Sequence, residues 1–561
     1  QSPRRGGASP SPTFPHFIAV AVVLVQLYCV FLPFCGWDDL PSVVKIPPVV
    51  LKMSAARSSL LNTVQPLPFR LPTSLAEIDE TFVTAVLRYK DYIDDNTRVE
   101  SMTRVDYGRD KGLMGDKCLV KNLQFSSAGA STTSEGLFES GIFVKMFPSD
   151  PSVPAQFAAN LFRTEKAFLT LANNKDGNAA AATSQNDDAT PTTLACGVDE
   201  KQELQKLRFP GFRTPKCYFL GGTDSDVDNT VVEEVENDRA EATPTPGADR
   251  PRFVFFMEPV GTTSSCISIL DGLSVDQCIS AASDLAGLHA PCFGWTRAAF
   301  KACPELASFA HLQDDGKVDS MKTFLLGASK GYGKSVREMV APATDEGSLP
   351  AEALMRQIVP NVLKYFDYVE AEMLPVIEEK FSVIAARWTS MPHSIWHGDF
   401  TCENVLWAEE GRSTSKANTY IDFQLTQLQP GIRDLCMLVA SSCRVPDREA
   451  PGAEERIVAA YHEALMLKLQ EREVDYSFQQ CWDDYVFLKF AVMFPATAVG
   501  GFVKHNLAKR LSYFAAGTGE PHKNSDADVE AGKKVNQFFG NILSDLQKHN
   551  MKKVLGGGDA S

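Results

Sequence analysis

Hydrophobic and polar positions follow two different periods along this chain. CLVKNLQF at 118–125 and IFVKMF at 142–147 hold apolar and β-branched residues in strand-like runs, parted by the turn-rich SSAGASTTSEG. Phe157, Leu161, Phe168 and Leu171 then recur at helical spacings, which predicts a helix over 154–171. RFVFFM at 252–257 predicts another strand, a buried one. From residue 274 the helical period dominates, with helices expected over 274–289, 350–388, 431–442 and 454–471. Two short strands, 404–407 and 418–423, interrupt them. The pattern implies an α+β chain: a small sheet lobe, then a larger helical lobe, with the cleft between them as the natural ligand site.

Two stretches break both periods. Residues 173–205 are rich in Ala, Asn, Asp and Thr, and 222–249 carry nine acidic residues against one Arg. Neither can bury enough apolar surface to offset the entropy of ordering, so both read as solvated insertions within a lobe of 75–260. The helical lobe then spans 261–515, and 516–561 read as a C-terminal helix and flexible tail. With 55 Lys+Arg against 70 Asp+Glu over 561 residues, the net charge is −15. That balance argues against a nucleic-acid partner, because phosphate neutralisation needs a basic face. The 13 cysteines are odd in number and include no C-x-x-C pair, which argues against a disulfide framework and for a reducing, cytoplasmic setting. Arg4 and Arg5 precede an apolar run at 17–34 that looks like a signal peptide or an anchor. Met53 stands in a context that looks like a start, so 1–52 read as a leader, a targeting segment or a mistranslated stretch. Membrane contact is expected only if 17–34 are kept as an anchor; organelle targeting is the alternative to a cytoplasmic location.

The chemistry is concentrated in SIWHGDFTCENVLW, TYIDFQ and GIRDL, between residues 394 and 435. Asp399 and Asn404 flank a tight turn and can reach one small volume, into which Asp422 can point from the end of the neighbouring strand. Two carboxylates and an amide oxygen form a hard-oxygen set suited to Mg²⁺. An Asp beside an acceptor hydroxyl can orient it and take its proton. Phosphoryl transfer needs this division of labour, since positioning and charge neutralisation do most of the work.

These motifs carry a resemblance. H-G-D-x-x-x-x-N followed by I-D-F is similar to the catalytic loop and metal motif of the aminoglycoside phosphotransferase and choline kinase superfamily. I-D-F-Q with the later D-L looks most like its ecdysteroid-kinase-like, or CHK kinase-like, branch. The resemblance implies a bilobal protein-kinase-like fold, ATP and Mg²⁺ as cofactors, and a small-molecule hydroxyl as acceptor. It implies Asp399 as catalytic base, Asn404 and Asp422 as metal ligands, and Asp434 as a brace for the catalytic loop. His397 would hold that loop. Upstream, Lys145 matches the family lysine that touches ATP phosphates, and Glu165 its ion-pair partner. Met257 and Glu258 fall at the hinge that grips adenine, and LAGLHA at 285–290 matches a family helix signature. Gly112 and Gly115 are the glycines available for a loop over the phosphates, although GLMGDK is not G-x-G-x-x-G.

Two other readings are carried. One is a catalytically silent kinase-like binding module. The other is a P-loop NTPase, through the A-x-x-x-x-G-K-S pattern that runs from Ala328 to Ser335.

Overall fold

The computed structural model describes residues 67–107, 115–126, 138–149, 155–173, 207–223, 251–260, 266–295, 360–408, 417–493 and 525–556, with short pieces at 306, 322, 326–327, 329–334, 337–338 and 496. Residues 17–34, Met53, Gly112 and nearly all of both insertions lie outside them. No helix among the described residues is long and apolar enough to cross a membrane.

The first lobe is built on helix α1 (Glu80–Tyr89) and strands β1 (Val99–Tyr107), β2 (Asp116–Phe125) and β3 (Ile142–Met146). Helix α2 (Ala155–Asn173), β4 (Cys217–Thr223) and β5 (Arg252–Met257) complete it. The five strands pair antiparallel in the order β1-β2-β3-β5-β4. β5 reads as an unbroken apolar run because both of its faces are covered. Val254 and Phe256 pack with α1, whereas Phe253, Phe255 and Met257 belong to the larger core that holds α2. β3 alternates in the same way. Ile142 and Val144 face α1, which turns Phe143 and Lys145 to the α2 side.

The second lobe is helical. Helix α3 (Val275–His289) starts at a capping box between Ser274 and Gln277. Helices α4 (Pro360–Tyr368) and α5 (Leu374–Ser390) are joined by a π turn at Val369–Met373. The sequence pattern predicts one helix there. Pro375 has no N–H for the preceding turn, and the wider turn accommodates the lost bond. Two short antiparallel ribbons follow: β6 (His393–Trp396) with β9 (Gln427–Pro430), and β7 (Val405–Leu406) with β8 (Thr419–Tyr420). Helices α6 (Ile432–Ser442), α7 (Ala453–Leu469) and α8 (Phe478–Leu488) then build the core. The last long helix, α9 (Ser525–Lys548), is an integral part of this lobe. Phe538, Phe539, Ile542 and Leu546 are buried against α4 and α6, so the helical lobe extends beyond residue 515. A buried charge cluster fastens it: Lys489 Nζ lies 2.7 Å from Asp545 and 3.1 Å from Glu454, and Lys548 is 2.7 Å from Glu454. Lys489, directly after α8, is thus a core residue.

β1, β4 and α1 are additions to the elements expected from the sequence. β1 (VESMTRVDY) is a mostly polar edge strand without a clean alternation.

Candidate active site

Lys145 projects from β3 toward α2, where Glu165 is presented by the second half of that helix. Lys145 Nζ lies 2.7 Å from Glu165 Oε2 and 3.0 Å from Asp422 Oδ1. The Lys145 and Glu165 side chains are 5% and 3% exposed, whereas Asp422 is 34% exposed and faces the cleft. Burial disfavours charge on Lys145, but Asp422 and Glu165 outweigh it and hold the ammonium above its usual range. Burial also works against charge on Asp422; Lys145 and Lys117 overcome it, and its carboxyl lies below the ordinary value. Glu165, more deeply desolvated, is pushed up.

Asp422 is held in a left-handed conformation, φ 67°, an arrangement that costs about 1–3 kcal/mol for a non-glycine residue. Packing on both sides enforces it. The Ile421 N–H donates to the Asn404 carbonyl, and Phe423 packs tilted against Phe168 of α2 at 4.3 Å between ring centroids.

The loop that follows β6 is organised by Asp434 from the first turn of α6. Its fully buried carboxylate accepts the N–H of His397 at 2.7 Å and of Gly398 at 3.1 Å, with His289 Nε2 3.2 Å away. Gly398 has φ 96°, and a Cβ there would meet Leu425 Cβ at 2.5 Å. His397 Nε2 donates to the Ile421 carbonyl at 3.0 Å, which leaves Nδ1 to accept the Asp399 N–H at 3.3 Å. Burial lowers the pKa of this ring, in keeping with a neutral imidazole. His397 thereby ties the Asp399 turn to the Asp422 turn.

Asp399 and Asn404 meet as the spacing predicts. Asn404 Nδ2 donates to the Asp399 carbonyl at 2.8 Å and to its Oδ2 at 3.0 Å. Burial, then the charge of Asp422, push the Asp399 carboxyl up to about 7. With both amide hydrogens of Asn404 engaged, its Oδ1 is kept as an acceptor, and Asp422 has a second oxygen beyond the one on Lys145. An amide oxygen and a carboxylate oxygen next to one cleft fit Mg²⁺, which retains waters and borrows phosphate ligands.

The remaining expected residues divide. Gly115, φ 95°, lets the chain approach β3 closely, because a Cβ there would lie 2.7 Å from the Met146 carbonyl. Gly112 lies outside the described residues. Met257 ends β5, buried and paired with β3 and β4. Glu258 is engaged elsewhere: its N–H donates to the Lys216 carbonyl at 2.7 Å, and its carboxylate pairs with Arg213 at 3.1 Å. It fastens the hinge to the segment before β4. The P-loop reading is corrected too. Residues 326–327 and 329–334 are helical, and Lys334 is an exposed partner of Glu338, whereas a phosphate-cradling loop needs a strand before it.

Sequence reasoning passed over Lys117, which the β2–β3 register sets directly opposite Lys145. The signal was available: two lysines on neighbouring antiparallel strands, each beside residues of the same buried face. It also passed over Asp284, which accepts the Tyr420 hydroxyl at 2.7 Å and Asn418 Nδ2 at 3.0 Å and so anchors β8 to α3.

A five-stranded antiparallel sheet lobe, a helical lobe, and a lysine–glutamate pair reaching an aspartate across the cleft define a two-lobed, kinase-like α+β protein. In its ordered motifs the chain is similar to the aminoglycoside phosphotransferase and choline kinase superfamily. A family model described as "Uncharacterized oxidoreductase dhs-27" matches residues 344–506. Among curated proteins none matches the chain. An ethanolamine kinase of Plasmodium vivax, 11% identical, aligns over 87% of this chain and 92% of its own with a TM-score of 0.37. The GDP complex of an aminoglycoside 2'-phosphotransferase, 12% identical, aligns over 86% and 99% at 0.32. A microcompartment-associated aminopropanol kinase, 12% identical, aligns over 84% and 99% at 0.29.

Proposed function

We propose that this chain is an ATP- and Mg²⁺-dependent phosphotransferase that moves the γ-phosphoryl group to a hydroxyl of a small molecule. The observation that carries the reading is the convergence of Lys145, Glu165, Asp422, Asn404 and Asp399 on one cleft. Lys145, oriented by Glu165, would bind phosphate oxygens. Asn404 and Asp422 would hold Mg²⁺, which when bound offsets the negative charge of the phosphates. Asp399 would orient the acceptor hydroxyl and take its proton as the oxygen–phosphorus bond forms and the bond to ADP breaks. His397 and Asp434 act through the backbone, keeping the Asp399 turn in place.

The test is ADP release from ATP in the presence of fractionated metabolite extracts, with Asp399→Asn as blank. Acceptor-dependent release by the native protein alone supports the reading. Equal release by both proteins removes it. A catalytically silent binding module is the second reading, and the complete set Asp399, Asn404 and Asp422 is the observation against it. Nucleotide binding without release under any acceptor would favour the silent module.

A further inference from the structure

We propose that Lys117 is a second phosphate-contacting lysine, working beside Lys145 on the terminal phosphates of a nucleoside triphosphate. The inference rests on the reading above that a nucleotide lies between the lobes.

Strand register places it. Lys117 pairs with Lys145 across β2 and β3, and residues directly opposite on an antiparallel pair share a face, with Cα atoms about 4.5–5.5 Å apart. The alternation agrees on both strands. Cys118 and Val120 of β2 are buried with Ile142 and Val144 in the α1 core, which turns Lys117 and Lys145 together to the cleft side. Gly115, two residues earlier, brings the chain against the Met146 carbonyl and so anchors the start of β2.

Charge gives the placement its meaning. Like charges directly opposite on a sheet repel, and here one of the two, Lys145, is already shared by Glu165 and Asp422. Burial and the neighbouring Lys145 both disfavour charge on Lys117, with Asp422 and Glu165 opposing. A buried ammonium with a second, half-buried lysine directly opposite it is a poor arrangement by itself and a good one for a polyanion. It also bears on the absent G-x-G-x-x-G pattern: where backbone amides of a glycine-rich loop would cradle phosphates, this chain brings a side-chain cation.

The test compares ligands that differ in phosphate number. Lys117→Met should raise the dissociation constant for ATP about tenfold or more and that for ADP less, with adenosine unchanged, while Lys117→Arg should restore most of the loss. Unchanged ATP binding, or an equal loss for adenosine, would overturn the proposal and leave Lys117 a counter-ion of Glu165 and Asp422. Should the Met variant fail to fold, the native protein treated with an acyl phosphate of ATP decides. Acylation of Lys117 that excess ATP suppresses supports the proposal; acylation of Lys145 alone ends it. A native protein that binds neither ATP nor adenosine would overturn this inference and the nucleotide reading together, whereas a native protein that binds ATP beside an unaltered variant removes only the role of Lys117.

Discussion

Lys145 and Asp422 are 277 residues apart in the chain and 3.0 Å apart in space. Their contact joins the two lobes at the cleft, and Glu165 holds the same ammonium at 2.7 Å. The lysine is therefore the electrostatic link between sheet and helices.

Lys145→Met should weaken the fold as well as nucleotide binding. It leaves Glu165 buried without its cation, and breaking a buried pair by removing one partner costs about 3–5 kcal/mol. Chemical denaturation should show that loss, and Lys145→Met with Glu165→Gln should recover part of it. Recovery of none would mean that the pair is not coupled.

Asp399→Asn retains the size of the side chain and removes the proposed proton acceptor. Turnover should fall by roughly 10²–10⁴ while the melting temperature stays within a few degrees of the native one. Turnover within a factor of two of the native value would exclude Asp399 as base.

Gly398→Ala tests the turn itself. The methyl group would meet Leu425 at 2.5 Å, on a backbone that already has φ 96°. Loss of about 1–3 kcal/mol of stability is expected from the conformation alone, with activity reduced as Asp399 moves. A thermal scan paired with an activity assay would expose a silent substitution.

Acid stability should depend on Glu454. Burial acts to raise its pKa, but Lys489, His549 and Lys548 outweigh it and hold the carboxyl well below the usual range. A carboxyl whose folded pKa is depressed adds stability above its unfolded value of about 4.3, and that stability is lost as pH falls below it. Native protein and Glu454→Gln should therefore differ by about 3–5 kcal/mol near pH 7, and the gap should narrow progressively as pH falls below about 4. Urea titrations across that range measure the gap. A gap that widens on acidification would contradict the assignment.

Much of this was legible in the chain. RFVFFM is a strand at the predicted bounds, 252–257, and α2, α3, α6 and α7 begin and end within a few residues of the expected positions. Those elements have strong local periods, and α3 also has its capping box. The Asp399–Asn404 contact was readable because a tight turn brings residues five apart together. The pairing of Glu258 with Arg213 and Lys216 was not readable, because a hinge position says nothing about which neighbours compete for its amide. The helix at 329–334 carries a pattern that in another fold would be a loop, and the pattern alone does not say which of the two it forms.

The sequence by itself determined the local elements, the order of the motifs and the chemical types gathered in them, because periods, caps and tight turns act over a few residues. Tertiary structure decided which side chains meet: Lys117 opposite Lys145, the left-handed turn at Asp422, Asp434 beneath the loop after β6, and α9 closing the helical core. Each of these depends on strand register or on packing between segments far apart in the chain, where a shift of one residue would turn a side chain to the other face.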